Sequence, residues 1–387
     1  MPLDTTPDEN ERTAVTLFAG GLTAVSAGNG GTSRTRRLGW VLLIVALVGT
    51  VIFAMLPSPY VIERPGPVFD TLGTVKIGDG TVPMIEIPGQ KTWPATGSLD
   101  MLTVSMLGDP TNLPNWLDVA SAWLDPSQAV LPVDAVYPPG YSVRDSVKQG
   151  TVDMQNSQKD AMAAALRELG HRVPSVVTVA GLSAESPSKG ILKDGDRIVS
   201  VAGTPIDSVN GLREAIAAGG AGSPLAMTIL RGTATLTETV IPSLSSGAKP
   251  TPVIGIYAAV SYDYPFDVKI QLENVGGPSA GQMFALGIID KLTPGSLTGG
   301  ARVAGTGTID AQGTVGPIGG IRQKMYGAQR AGATIFLAPA GDCNEVVGHV
   351  PSGLKVFAVK TLSDSLAVLK AVSTGESTAS LRTCSAG

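Results

Sequence analysis

Two side chains some 45 residues apart in this chain, a serine and a lysine, have the types and surroundings to act together on a carbonyl. Ser279 lies in G-G-P-S-A-G, residues 276–281, where two glycines and a proline give the backbone a tight approach. Downstream, Met283, Phe284, Gly287, Ile288 and Leu292 recur at helical spacing and predict a helix with one buried face starting close to the serine. Unpaired N–H groups and the positive dipole end of that helix converge there. That setting suits a nucleophile with backbone donors near the developing oxyanion. A helix-capping serine is the other reading of the same stretch.

The lysine comes from a second stretch, G-T-G-T-I-D-A-Q-G-T-V-G-P-I-G-G-I-R-Q-K, residues 305–324. Its first part reads as two short strands, Val303–Ile309 and Thr314–Val315, around a turn from Asp310 to Gly313. After Gly319-Gly320 a helix begins, with Ile321, Lys324, Met325 and Ala328 on one face and Gly332 as its stop. Lys324 thus falls on a half-buried face, where a charge is costly unless it is lost or partnered. A neutral lysine is a general base, and serine–lysine pairs are a known variant of the serine–histidine arrangement. A Ser-His-Asp triad would need His171 or His349, and no motif brings either to Ser279.

The two stretches together resemble the proteolytic domain of the Lon proteases, in which G-P-S-A-G is followed by G-x-V-x-P-I-G-G-[LI]-x-x-K. The resemblance implies a catalytic dyad of Ser279 and Lys324. It also implies that Thr306 helps to position the lysine, with Gly277, Pro278 and Ala280 as supporting motif residues. Many ATP-dependent members carry an aspartate where this chain has Gly276 and a glutamate where it has Thr308.

The rest of the chain must hold and deliver this pair. It is 387 residues long, 43% apolar and 16% charged, with a net charge of −4 that points to no nucleic-acid partner. Two cysteines and two histidines leave no zinc cluster, and no cofactor is expected. No G-x-x-x-x-G-K-[ST] phosphate loop occurs, so the expected proteolysis is ATP-independent and limited to unfolded or extended substrates.

Residues 1–37 read as a disordered tail ending in Arg34, Arg36 and Arg37. The uncharged run from Leu38 to Leu56 is long enough for one transmembrane helix. The arginines place the tail in the cytoplasm and everything beyond Pro57 outside, giving a single-pass protein of the cell membrane. On that topology Cys343 and Cys384 lie in an oxidising compartment, which predicts a disulfide between them. Asn112–Leu131, with Trp116 and Trp123, reads as a helical or irregular stretch whose tryptophans are core. Met154–Gly170 reads as a helix ended by its glycine.

From about Val173 to Ile241 the spacing G-[IL]-L-x-x-G-D-x-I-x-x-[IV]-x-G, around Gly190–Gly203, resembles PDZ domains. These take up an extended peptide, often a C-terminus, as an added strand beside a helix. Here that helix carries Leu212 and Ile216. Ser243–Pro252 is a polar linker, and Val253–Val260 and Val268–Leu272 read as strands leading to Ser279. The layout resembles the membrane-anchored PDZ–Lon proteins, the YlbL family. It implies an α+β fold: a Lon-type proteolytic domain with ribosomal protein S5-like layers, a small β-rich PDZ domain inserted, and one transmembrane helix in front. The expected segments are a tail at 1–37, the span at 38–56, an N-terminal part of the Lon-like unit at 60–170, the PDZ domain at 173–242, the catalytic domain at 250–372 and a polar tail at 373–387. Lon domains tend to form rings, so homo-oligomers are expected by analogy. A non-catalytic, membrane-tethered PDZ adaptor or chaperone is the alternative, and it differs in tolerating Ser279→Ala.

Overall fold

The computed structural model describes residues 32–137, 143–245 and 250–384. The chain divides into two units, one up to Ala54 and one from Met55 onward. The first contains helix α1 (Thr32–Met55), whose large apolar side chains from Leu38 to Phe53 are exposed. It is long and apolar enough to cross a bilayer, with a mean hydropathy of 2.6 over an 18-residue window within Arg36–Met55. The sequence reading starts this segment at Leu38, but the helix begins at Thr32, because nothing in T-S-R-T-R-R breaks it. The rest of the expected tail, residues 1–31, lies outside the described residues.

The second unit runs, in chain order, β1 (Tyr60–Asp70), β2 (Ser98–Leu107), α2 (Trp116–Leu124), β3 (Ala129–Pro132), α3 (Val143–Glu168), β4 (Ser175–Leu182), β5 (Arg197–Val201), α4 (Val209–Gly219), β6 (Leu225–Arg231), β7 (Ala234–Val240), β8 (Ile256–Tyr262), α5 (Gly281–Leu292), β9 (Arg302–Gly305), α6 (Ile321–Arg330), β10 (Ile335–Pro339), β11 (Lys355–Val359) and α7 (Leu362–Thr374). Short two-stranded ribbons fill several of the loops.

The first sheet has the order β11-β10-β9-β2-β1-β3. Strands β9, β10 and β11 run parallel to β2, whereas β1 and β3 are antiparallel to their neighbours. Alternation along β9 sends Val303 to one face and Ala304 to the other. On the first face lie α5, Met154 and Ala161 of α3, and Val368 and Leu369 of α7; on the second lies α6. The five residues I-F-L-A-P of β10 are all buried, as a parallel strand covered on both faces must be.

Helix α5 departs from its sequence reading. A helix with one buried face was expected from the spacing of Met283, Phe284, Gly287, Ile288 and Leu292, yet Gly281–Asp290 is buried all round. The helix is walled by the sheet, by α3 and by α7, so no side of it is left for solvent.

The second sheet has the order β7-β6-β5-β4-β8, with Thr204–Pro205 pairing β5 from outside this path. Its core joins Val177, Ile198, Met227 and Ile229 to Leu212 and Ile216 of α4. Two expectations are corrected here. The strand read as leading from the catalytic unit to Ser279 instead pairs antiparallel with β4, Ile256 opposite Leu182 and Tyr262 opposite Ser175. Val260 and Ile254 then face the second core, which a period-two pattern alone could not specify. The other expected strand, Val268–Leu272, shrinks to Lys269–Ile270 paired with Ile85–Glu86. The linker read at Ser243–Pro252 closes at its ends into a ribbon, Ser243–Leu244 against Pro252–Val253, while residues 246–249 lie outside the described ones.

Of the two tryptophans of α2, Trp123 differs from expectation. Trp116 is half-buried, edge-on to Tyr60 at 5.8 Å, but Trp123 is 63% exposed. Val119 and Ala122 instead fill the contact with Ile62.

Cys343 and Cys384 are joined by a disulfide. It holds the last described residues against β11, where the N–H of Ala358 donates to Arg382 O at 2.9 Å. The bridge closes a loop with a sequence separation of 41. Chain entropy then predicts that Cys343→Ser with Cys384→Ser lowers unfolding stability by up to about 4 kcal/mol. Denaturant unfolding of both forms checks this, and an unchanged midpoint would show that the tail contributes no such constraint.

Candidate active site

Ser279 precedes the N-cap residue of α5, Ala280, by one position. Two contacts fix the approach to it from α3: the N–H of Gly277 donates to Gly150 O at 2.8 Å, and Ser157 Oγ donates to Pro278 O at 2.8 Å. Gly277 has φ +88°, a left-handed conformation that side chains disfavour, so the glycine is required by the turn. The G-G-P run therefore acts as a clamp that fixes where the serine hydroxyl sits.

Lys324 comes from α6. Gly320, at the N-cap with φ +68°, starts this helix, and its carbonyl accepts from Lys324 N–H at 3.0 Å. A Cβ on Gly320 would run into Glu63 Oε1 and stand 2.7 Å from Val104 Cγ1, so glycine lets α6 approach β1 and β2 without displacing these side chains. The face read as half-buried is wholly buried, and Lys324 is only 2% exposed. Met325, Ile321 and Ala328 on the same helix pack on Leu102, Ala304 and Phe336 of the sheet.

The lysine nitrogen lies 2.9 Å from Ser279 Oγ and 3.3 Å from Thr306 Oγ1. Thr306 donates its hydroxyl proton to Ser279 O at 3.0 Å, which turns its oxygen lone pairs toward the lysine. Sequence reading runs a strand through Val303–Ile309, but the strand breaks after Gly305 and resumes at Thr308. The break lets Thr306 leave the sheet and meet both partners.

Burial drives the lysine pKa down to about 8, partly opposed by the negative charges of Glu63 and Asp342. Glu63 sits on β1 opposite Met106, and burial raises its own pKa although Lys324 pulls it back. Asp342 follows β10, accepts from Ile318 N–H at 3.0 Å, and is likewise raised by burial. These two carboxylates escaped the sequence reading. The one signal for Glu63 was a lone acid beside Val61-Ile62, both of which are buried. A carboxylate from β1 and one from the loop after β10 thus both act on the charge of Lys324.

Ser279 and Lys324 open into a cleft of about 370 Å³. Phe69, Met101, Val104, Met154 and Val275 make its apolar wall. Strand β2 pairs with β9 only over Ser98–Met101, so its edge from Leu102 onward faces this cleft. Neither histidine lines the cleft: His171 stacks edge-on against Phe266, and His349 Nδ1 meets Val347 O. No group of three or more candidate metal ligands occurs among the described residues.

The remaining predicted site residues lie elsewhere. Leu212 and Ile216 belong to the second core and also line a groove of about 310 Å³ with Val209, Ile254, Ile256 and Ala258. That groove runs between α4 and β8, so its strand wall is the one assigned from sequence to the catalytic part. The disulfide pair Cys343–Cys384 lies beyond β10 and contributes no wall to the cleft.

Comparison with known proteins agrees with this geometry. Residues 274–372 match the model of the Lon protease (S16) C-terminal proteolytic domain, and residues 151–241 match that of the PDZ domain. The second match begins inside α3, whose Met154, Ala161, Ala164 and Ala165 belong to the core around α5. The chain is 39% identical over 94 residues to Lon protease 1 of Sorangium cellulosum, covering 24% of this chain and 11% of that protein. It is 40% identical over 93 residues to a Lon protease of Clostridium beijerinckii, covering 23% and 11%. This chain thus spans about a tenth of the length of these curated relatives. The crystal structure of a PDZ domain from an SdrC-like protein of Listeria innocua is 25% identical, covers 21% of this chain and 92% of that one, and has a TM-score of 0.20. The chain therefore carries, at residues 274–372, the C-terminal proteolytic domain of the Lon (S16) peptidases, together with a PDZ domain.

Proposed function

We propose that this chain is a membrane-anchored serine endopeptidase that cleaves unfolded or extended proteins without ATP. One observation carries the reading: a lysine 2% exposed, its pKa lowered to about 8, sits 2.9 Å from the hydroxyl of Ser279. In its neutral form Lys324 takes the Ser279 proton, and the freed oxygen attacks a peptide carbonyl. Backbone N–H groups beside Ser279 stabilise the oxyanion that forms, those of Gly281 and Gln282 being already donated to Pro278 O and Gly307 O. Thr306 holds the lysine nitrogen against the serine through its hydroxyl oxygen. The protonated lysine then gives its proton to the leaving amine, and water releases the acyl group by the reverse path. The edge of β2 beyond Met101 suits a substrate bound as an added strand, and the apolar wall favours an apolar side chain beside the scissile bond.

The test uses the full chain in detergent or vesicles, an unfolded protein such as casein, and no nucleotide. Wild type should cleave, Ser279→Ala should not, and ATP should change nothing. Equal inactivity of both forms would favour the adaptor reading, in which the site only binds.

The groove between α4 and β8 supports a peptide-binding role for the PDZ domain, with the edge of β8 as template and Val209, Leu212 and Ile216 as the apolar wall. Val209 opens α4, where a carboxylate suits the helix dipole, so Val209→Glu should spare the fold. It should weaken binding of a peptide with an apolar C-terminus at least tenfold, read by fluorescence anisotropy. Unchanged affinity would remove this groove as the peptide site.

A further inference from the structure

We propose that α2 is a membrane-docking helix that lies on the outer surface of the bilayer beside the point where the chain leaves it. The inference rests on reading α1 as a membrane span.

Helix α2 has a firmly held inner face and an unpartnered outer one. Inside, Val119 and Ala122 pack on Ile62 of β1. Its start is fixed by a capping box in which Asn115 accepts from Asp118 N–H and Asp118 accepts from Asn115 N–H. Outside, Leu117, Ala120 and Leu124 form one helical stripe, with Trp123 at its flank. Leu117 is 59% exposed, Trp123 63% and Leu124 86%. Asp118 is the only charged residue on the helix, and the capping box engages it.

What covers this face is indicated by where the helix is tied. The N–H of Trp116 donates to Leu56 O at 3.2 Å, Pro57 bridges Asn115, and Ser58 donates through both N–H and Oγ to Pro114 O. Leu56 directly follows Met55, the last residue of α1. The staple is therefore at the very residue where a span of this sequence would emerge. At 1.5 Å per residue α2 is only about 14 Å long, so all of it stays close to that point. A short helix with leucines and a tryptophan outward, held at the exit of a span, has the composition of an interfacial helix. The lipid surface is the occupant because it is the one apolar partner whose position the chain itself dictates. Leu107, at the far end of β2, precedes Gly108, which abuts Pro114 of the staple.

Both native cysteines are in the disulfide, so an introduced cysteine is the only free thiol. Nitroxide labels at Leu124→Cys and, separately, Leu117→Cys are read in the full chain, reconstituted in phosphatidylcholine–phosphatidylglycerol vesicles. Val45→Cys in α1 and the exposed Val199→Cys in β5 serve as references. The ratio of oxygen to nickel-chelate accessibility should be highest at position 45, lowest at 199, and several-fold above the 199 value at 117 and 124. If 45 reports hydrocarbon while 117 and 124 match 199, the docking is refuted and the span stands. If 45 also matches 199, the span reading falls and takes the docking with it. Shielding from both reagents that grows with protein density would assign the face to a second copy and overturn the lipid assignment.

Discussion

Lys324→Arg is expected to abolish peptide hydrolysis, with a loss of about 10³-fold or more, the scale seen when one member of such a catalytic unit is removed. The substitution keeps a positive charge and a donor, so a lysine that only steadied the loop or bound an anion would survive it in part. Arginine stays protonated at any accessible pH and cannot accept the serine proton. Ser279→Ala should fall as far, and the double variant no further, because the proposed mechanism makes the two residues one unit. The pH profile supplies an independent check. In the proposed mechanism only neutral Lys324 is the base, and burial lowers its pKa to about 8. The rate on a fluorogenic peptide should therefore rise about tenfold per pH unit below 8 and level off above it. A profile flat from pH 6 to 9, or an arginine variant retaining a tenth of the activity, would remove Lys324 from the role of base.

The same buried lysine should make stability rise with pH. Its ordinary pKa of 10.5 applies in the unfolded chain, whereas the folded value is about 8. Between these values the unfolded state holds the proton and the folded state does not, so stability increases as pH climbs from 8 toward 10.5. Below pH 8 both states are protonated, and the full cost of the buried charge is present. The whole swing is about 3 kcal/mol, at 1.4 kcal/mol per pKa unit. Other groups titrate in the same range. Burial, and next the Asp160 carboxylate, hold the Tyr262 hydroxyl neutral in the folded state, which opposes stability at high pH. The measurement is therefore a difference: unfolding of wild type and of Lys324→Met by denaturant at pH 7.5 and at pH 10. Wild type should gain on the methionine variant by roughly 2–3 kcal/mol over that interval. No relative gain would mean that the lysine is not buried in the charged form at neutral pH.

Much of the site could be read locally. The G-G-P-S run, the helix after it, and the face shared by Ile321, Lys324, Met325 and Ala328 all follow from spacing within a few turns of chain. What escaped is non-local. Glu63 and Asp342 influence Lys324 only because β1 and β10 are strands of one sheet, and no short window contains that pairing. The strand Ile256–Tyr262 has a pattern that fits either core, and its partner β4 lies far back in the chain. Burial of α5 on every side follows from three separate neighbours. Trp123 was misread for the opposite reason: composition says that tryptophans are usually inside, and only the position of α2 beside Leu56 gives one a reason to face out.

The order of strands in the first sheet has a consequence for how the molecule matures. The second sheet is assembled from residues 175–262, neighbours in the chain, and can form while the rest is still being made. The first cannot, since β9 adds to β2 by pairing Arg302 with Ser98, a closure over some two hundred residues. Such closures cost entropy before they return contacts, and they come late. Ser279 is synthesised before β9, and Lys324 depends on the sheet that β9 completes. During synthesis, then, Ser279 exists for an interval without Lys324 beside it. The meeting of the two side chains is thus tied to the completion of the first sheet: until its last strands are in place, the 2.9 Å contact between Ser279 and Lys324 does not exist.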